Sequence, residues 1–195
     1  ETFGEGLHHA VFDAVVDHLD EMPGTGGTGV DIAALGAIVI GQDIFGANRH
    51  FRNVIQRFAS EGYVTIVPAL FDRVHPGTEL GYDEDAVAKG RAIADELGFN
   101  GALDGVRGAY DLLEAEHRVG VVGYCWGGML AYLTAARHRP DAAVGYYGVG
   151  IEKRLRAPLA SPNTELGTVR LEGGAHSKRG IVEPVPVGSV VLKAE

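Results

Sequence analysis

The stretch Gly123-Tyr124-Cys125-Trp126-Gly127-Gly128 constrains the fold of this chain more than any other. An apolar run, Val119-Gly120-Val121-Val122, leads into it, and Met129-Leu130-Ala131-Tyr132-Leu133-Thr134-Ala135-Ala136 leads out with the composition of a buried helix. Strand, then Gly-x-nucleophile-x-Gly, then helix is the setting of a nucleophile elbow, a sharp turn that thrusts one side chain out at the end of a sheet. Glycines flank it because a Cβ would clash in so tight a turn. The side chain presented here is Cys125, the single cysteine of the chain. The pentapeptide alone is weakly specific, since a free cysteine is usually a small buried hydrophobe. The flanking strand and helix are what make it a candidate nucleophile.

The remaining composition excludes several classes. A chain of 195 residues is expected to form one domain, 1–195, with a sizeable core. Its net charge of −9 argues against nucleic acid or an anionic membrane as a partner. One cysteine excludes an internal disulfide framework and a cysteine-based zinc site, and no metal or cofactor is expected. A reactive thiol fits a reducing compartment, and no signal peptide opens the sequence, so a cytoplasmic location is expected. No apolar run reaches the roughly 18 residues of a membrane span. The first residue is Glu1 rather than Met, as in a fragment or a trimmed chain.

Along the chain, period-two apolar spacing allows a strand at 11–18. The Gly-rich run at 23–29 lacks the Gly-Lys-Ser/Thr ending of a phosphate loop. Residues 35–41 form a continuous apolar run, the mark of a strand buried on both faces in a parallel sheet. Phe51, Val54, Ile55 and Phe58 share one helical face over 49–61, and Gly62 stops that helix. Further strands are expected at 63–67, 119–122 and 142–147, a loop at 69–82, helices at 83–97 and 102–114, and the elbow helix at 129–138. Alternating strands and helices mean an α/β fold with a mostly parallel sheet. After Pro158 the alternation fails: no amphipathic helix follows, and Glu183-Pro184-Val185-Pro186-Val187 can be neither a central strand nor a helix.

A cysteine nucleophile acts as the thiolate, which the positive end of the elbow helix is expected to favour. It also needs a base, usually histidine, oriented by a carboxylate. An acyl intermediate needs two oxyanion donors. The elbow architecture supplies one from the residue after the nucleophile, Trp126, and one from the loop after an early strand, here Ile44 of Gln42-Asp43-Ile44-Phe45-Gly46. Only His138 and His176 follow Cys125 in sequence. His138 ends the elbow helix and reads as a charge suited to that terminus. His176, in Glu172-Gly173-Gly174-Ala175-His176-Ser177, lies where the base belongs, although a solvated loop histidine is the competing reading. No carboxylate suits the triad acid: Asp141 comes too early, and neither Glu165 nor Glu172 follows a clear strand.

These residues resemble the dienelactone hydrolase (carboxymethylenebutenolidase) family. The matching stretches are Gln42-Asp43-Ile44-Phe45-Gly46-Ala47-Asn48, Arg57-Phe58-Ala59-Ser60-Glu61-Gly62-Tyr63, Pro68-Ala69-Leu70-Phe71-Asp72-Arg73, Pro76-Gly77-Thr78-Glu79-Leu80, the elbow, and Ala143-Val144-Gly145-Tyr146-Tyr147-Gly148-Val149-Gly150-Ile151-Glu152-Lys153. They cover 35–158; 159–195 is a divergent tail. The resemblance implies an α/β-hydrolase fold whose C-terminal strand and helix are truncated or altered. It also implies hydrolysis of a carboxylate-bearing enol-lactone in the breakdown of aromatic, chlorocatechol-type compounds. By the same resemblance Cys125 is the nucleophile, and Asp43, where the family usually has Glu, partners the resting thiol. Arg73 binds the substrate carboxylate, Trp126 and Tyr147 line the pocket, and His176 and Arg179 match the base and a second carboxylate-binding arginine. The family's segment bearing the triad Asp is absent, and a deletion or a reading-frame shift stands beside a native tail as the explanation. A broad-specificity carboxylesterase with the same elbow, and an inactive α/β domain, are the alternative functions.

Overall fold

The computed structural model describes residues 35–138, 140–146, 148–151, 166–167, 169–172, 185–186 and 190–193. The strand expected at 11–18 and the Gly-rich run at 23–29 lie outside them.

The elements run β1 (Ala37–Gly41), α1 (Arg49–Ser60), β2 (Val64–Ile66), a 3-10 turn (Leu70–Arg73), α2 (Glu84–Glu114), β3 (Val119–Tyr124), α3 (Trp126–His138) and β4 (Ala142–Tyr146). Four short strands follow: β5 (Leu166–Gly167), β6 (Val169–Glu172), β7 (Val185–Pro186) and β8 (Val190–Lys193). The main sheet has the order β2-β1-β3-β4-β8-β6, and all its neighbours are parallel. The alternation of strand and helix up to β4 is therefore the one read from the sequence. The two helices expected either side of Gly98 are joined into one span, broken locally where Gly98 adopts φ 67° and ψ 164°. Beyond β4 the chain continues the sheet with β8 and then β6, so the altered C-terminal end supplies strands in reversed order. The proline-bearing Val185–Pro186 pairs only with β5, in a separate antiparallel ladder.

The sheet divides the core by strand periodicity. Ala37, Val39, Val119, Val121 and Ala143 pack on one side with Ile93, Val106, Met129 and Leu133 of α2 and α3. Ile38, Ile40, Val122, Tyr124, Val144 and Tyr146 pack on the other with Phe51, Val54 and Phe58 of α1. This is a three-layer α/β arrangement. Helix α3 is buried on all sides from Trp126 to Ala136, as expected of a helix in the middle of a layer. Helix α1 starts at Asn48, whose side chain accepts from the His50 N–H at 3.0 Å. Helix α2 starts at Asp83, which accepts from the Ala86 N–H at 2.8 Å. Both are N-caps that satisfy otherwise unpaired amides.

At the amino-terminal end of β3, Asp141 accepts from the Val119 N–H at 2.9 Å and from Arg118 Nε at 3.0 Å. It ties β3 to β4 at the end opposite the elbow. His138 does not carry the helix-end charge read from the sequence. Its half-buried Nδ1 lies 3.1 Å from the Arg107 guanidinium; that group cannot accept, so the imidazole must. Burial, then Arg107 and Arg137, pull its pKa down.

At the carboxyl end, β1, β3 and the first turn of α3 meet without side chains between them. A Cβ on Gly127 would overlap the Gly41 carbonyl oxygen, and one on Gly123 would overlap the Gly127 carbonyl. Overpacking against fixed backbone costs about 1–3 kcal/mol or more. Gly127→Ala is therefore expected to lower stability by about 3 kcal/mol in urea unfolding. Gly108→Ala, exposed on α2 with nothing within 4 Å of the new methyl, is expected to be neutral or to stabilise by up to about 1 kcal/mol. Equal effects at the two positions would contradict the close-packed elbow.

Candidate active site

Cys125 has φ 54° and is, among the described residues, the one non-glycine with positive φ. The left-handed region is costly for a residue with a Cβ and persists only where its surroundings impose it. Here four backbone hydrogen bonds do so. The Cys125 N–H donates to the Tyr146 carbonyl at 3.0 Å, and its own carbonyl accepts from Gly128, Met129 and Val149 at 3.0, 3.4 and 3.3 Å. Strand β4 therefore holds the turn from one side while the Gly41–Gly127 contact holds it from the other.

The thiol is mostly buried, and the Trp126 N–H is directed at the sulfur. Burial pushes the thiol pKa up; the Trp126 N–H opposes this, the Asp43 carboxylate adds to the rise, and the Arg91 guanidinium opposes it. The sequence expectation that the helix terminus favours the thiolate thus meets a larger opposing effect. Desolvation of the charged form is the largest influence and outweighs the Trp126 amide.

Asp43, two residues past β1, is 2% exposed. Its Oδ1 accepts from the Phe45 N–H at 2.7 Å. Burial pushes its carboxyl up to about 7, against that hydrogen bond. It acts on Cys125 through charge; among the described residues no hydrogen bond joins it directly to Sγ. Fully buried Gln42 accepts from the Leu70 N–H at 2.9 Å, tying the end of β1 to the 3-10 turn. Within that turn Phe71 packs on the Trp126 ring, centroids 5.7 Å apart. The Trp126 side chain is thus a core contact, whereas its N–H faces the sulfur.

Ile44 follows Asp43 in the same loop. Among the described residues its N–H donates to no backbone carbonyl, and its own carbonyl is seated against Gly90 of α2, where a Cβ would overlap the oxygen. The loop is fastened further on: the Leu80 N–H donates to the Phe45 carbonyl at 2.9 Å, and the Phe45 and Tyr82 rings lie 4.6 Å apart.

Cys125, Trp126 and Asp43 are therefore brought together, with Ile44 next to them. Arg73 is exposed at the end of the 3-10 turn, and its Nη1 donates to the Gly101 carbonyl at 3.0 Å. Tyr147, His176 and Arg179 lie outside the described residues. Sequence reading passed over Gln42, Gly90 and Arg91. The isolated glycine in Lys89-Gly90-Arg91, inside a helical pattern, was the available signal of a close approach. Among the described residues no group of three or more His, Cys, Asp or Glu could hold a metal ion, and no helix is long and apolar enough to cross a membrane.

A parallel sheet that delivers a strained residue at a strand–helix junction, beside a loop with an unengaged amide, defines the α/β-hydrolase class. A crystal structure from Klebsiella pneumoniae subsp. pneumoniae MGH 78578 shares the fold, with a TM-score of 0.55 at 24% identity over 89% of this chain and 77% of that one. The family profile described as "Dienelactone hydrolase family" matches residues 28–171, and the chain belongs to that family. It is 40% identical over 124 residues to a carboxymethylenebutenolidase of Pseudomonas putida, covering 61% of this chain and 52% of the relative. To the carboxymethylenebutenolidase of Rhodococcus opacus it is 30% identical over 142 residues, 70% of this chain and 55% of the relative. The chain thus spans about half the length of the curated relatives it matches.

The charges around the thiol set a pH dependence. Alkylation of Cys125 by neutral iodoacetamide follows the thiolate fraction. Its midpoint is expected above the ordinary thiol value of about 8.5. In Asp43→Asn the nearby negative charge, present above about pH 7, is gone, so the midpoint is expected to fall. A midpoint that rises in Asp43→Asn would overturn the role assigned to that carboxylate.

Proposed function

We propose that the chain is a cysteine-dependent hydrolase that opens a small carboxylate-bearing enol-lactone, acting in the cytoplasm in the breakdown of aromatic compounds. The observation that carries this is the geometry at Cys125: a strained turn with the Trp126 N–H aimed at its sulfur and a buried carboxyl, Asp43, beside it. Family membership and the carboxymethylenebutenolidase names of the relatives supply the substrate class.

In the proposed reaction Cys125 Sγ attacks the lactone carbonyl carbon. The carbonyl oxygen gathers charge and is held by the N–H groups of Trp126 and Ile44, which cost no reorganisation because the backbone already fixes them. The ring C–O bond breaks, the enol oxygen leaves with a proton, and a thioester remains. Water then attacks the thioester, the C–S bond breaks, and the thiol is restored with release of the second carboxylate. His176 is the proposed base for the water. Arg73 and Arg179 are proposed contacts for the substrate carboxylate, and Tyr147 for the pocket wall. Asp43 keeps the thiol protonated between turnovers: its charge opposes the thiolate, and an approaching anionic substrate favours the neutral carboxyl.

Hydrolysis of a dienelactone is the direct test. Cys125→Ala is expected to lower kcat/KM by about 10³-fold or more, the scale of loss when a covalent nucleophile is removed. Aryl-ester turnover without lactone preference would move the reading to a broad carboxylesterase. Turnover that survives Cys125→Ala would remove the cysteine mechanism altogether.

A further inference from the structure

The loop 42–48, which carries Asp43 and Ile44, has no helix or strand of its own. Its direction is therefore set by what fastens it. On one side the Ile44 carbonyl is seated against Gly90 of α2. On the other, a single segment, 78–82, supplies the contacts. The Thr78 carbonyl oxygen lies where a Cβ on Gly46, itself at φ 85°, would fall. The Leu80 N–H donates to the Phe45 carbonyl at 2.9 Å, and the Tyr82 ring packs on Phe45 with centroids 4.6 Å apart. That segment is in turn held at two points. The amide nitrogen of buried Asn48 donates to the Leu80 carbonyl at 3.4 Å and lies 3.3 Å from Tyr82 Oη. The Leu80 carbonyl can only accept, which fixes the amide this way round and leaves Asn48 Oδ1 to cap α1. Glu79 meets Arg52 of α1 through two parallel bonds, at 2.6 and 2.9 Å.

We infer that Asn48 and Glu79 are positioning residues: by strapping segment 78–82 against loop 42–48 they fix the direction in which the Ile44 N–H points. The inference deepens the proposed function and rests on its reading of Cys125 as nucleophile and of Ile44 as an oxyanion donor. Three observations favour it. First, the groups around the Ile44 N–H are engaged: Asp43 Oδ1 takes the Phe45 N–H, the Phe45 carbonyl takes the Leu80 N–H, and the Ile44 carbonyl abuts Gly90. The Ile44 N–H itself donates to no backbone carbonyl among the described residues. Second, one side chain, Asn48, serves both as the cap of α1 and as the tie to the strap. Helix α1 is anchored in the core by Phe51, Val54 and Phe58, so the strap is referred to a fixed body. Third, Arg52 and Glu79 pair fork to fork, which restricts direction as well as distance where a single exposed contact would restrict little. A donor fixed before charge develops costs no reorganisation during reaction, whereas one free to turn does.

Trifluoroacetone is the probe. Cys125 Sγ adds to its carbonyl carbon: the C–S bond forms, the C=O π pair moves onto oxygen and the thiol proton passes to solvent. The alkoxide left is the group that the Trp126 and Ile44 N–H groups would hold. The chain has a single cysteine, so protection from iodoacetamide reports the adduct, and the ketone concentration that halves alkylation gives its Kd. Iodoacetamide alone reports thiol reactivity, because displacement of iodide builds no oxyanion. Asn48→Ser keeps a capping oxygen for α1 but is too short to reach Leu80. It is expected to raise the adduct Kd about three- to tenfold, the scale of one buried hydrogen bond. Glu79→Gln is expected to raise it about two- to fivefold, and the swap of Arg52→Glu with Glu79→Arg to return it to within about twofold of the parent chain. The rate with iodoacetamide alone is expected to stay nearly constant throughout. Arg118→Gln, which breaks an exposed ion pair with Asp141 at the far end of the sheet, is expected to leave the Kd unchanged. A Kd unmoved in both Asn48→Ser and Glu79→Gln, a rise matched by an equal fall in the alkylation rate, or an equal rise in Arg118→Gln would overturn the assignment. Because no turnover is needed, the two readings fail separately. Lactone hydrolysis that depends on Cys125, in a chain whose Kd neither variant moves, keeps the proposed function and removes the positioning role. A Kd raised by both variants in a chain that opens no lactone keeps the positioning role and removes the substrate.

Discussion

The site depends on a backbone contact. The first turn of α3 can lie against the end of β1 only because Gly127 and Gly41 present carbonyls and hydrogens to each other instead of side chains. That contact, with the Cys125 N–H bonded to Tyr146 of β4, leaves the residue between strand and helix in the left-handed region. Strain of order 1–3 kcal/mol at such a residue is sustained by surroundings that permit no alternative. The sheet core on both faces, and the fully buried α3, supply that rigidity. The thiol position is therefore a consequence of how three elements close at the carboxyl end of the sheet.

The same closure sets the electrostatics. Gln42 and Asp43 leave β1 beside the elbow, so a buried carboxyl lies near the sulfur while Gln42 braces the 3-10 turn behind Trp126. Burial raises both the carboxyl and the thiol. Two neighbouring acids therefore both resist ionisation. The amide of Trp126 and the guanidinium of Arg91 work in the other direction. These groups together set how readily the Cys125 thiol ionises.

Most of this was legible in the chain because local signals agree with the fold. The apolar runs at β1 and β3, the elbow glycines and the apolar face of α1 each follow from short-range sterics or residue spacing. What was not legible depends on distant packing. That Gly90 receives the Ile44 carbonyl, that Arg73 turns to Gly101, and that burial pushes the Cys125 thiol up all depend on tertiary packing. The order β4-β8-β6 was hidden for another reason: strands of only four residues, Val169–Glu172 and Val190–Lys193, carry too little periodicity to separate from loop.

In the proposed reaction Cys125 Sγ forms the bond to the acyl group. Rapid acid quenching during turnover of a lactone or an activated ester, followed by peptide mass analysis, reads it directly. A thioester mass on the peptide containing Cys125, appearing before steady state, is the predicted result. Turnover that proceeds with that peptide unmodified, or with the acyl group on another residue, would contradict it.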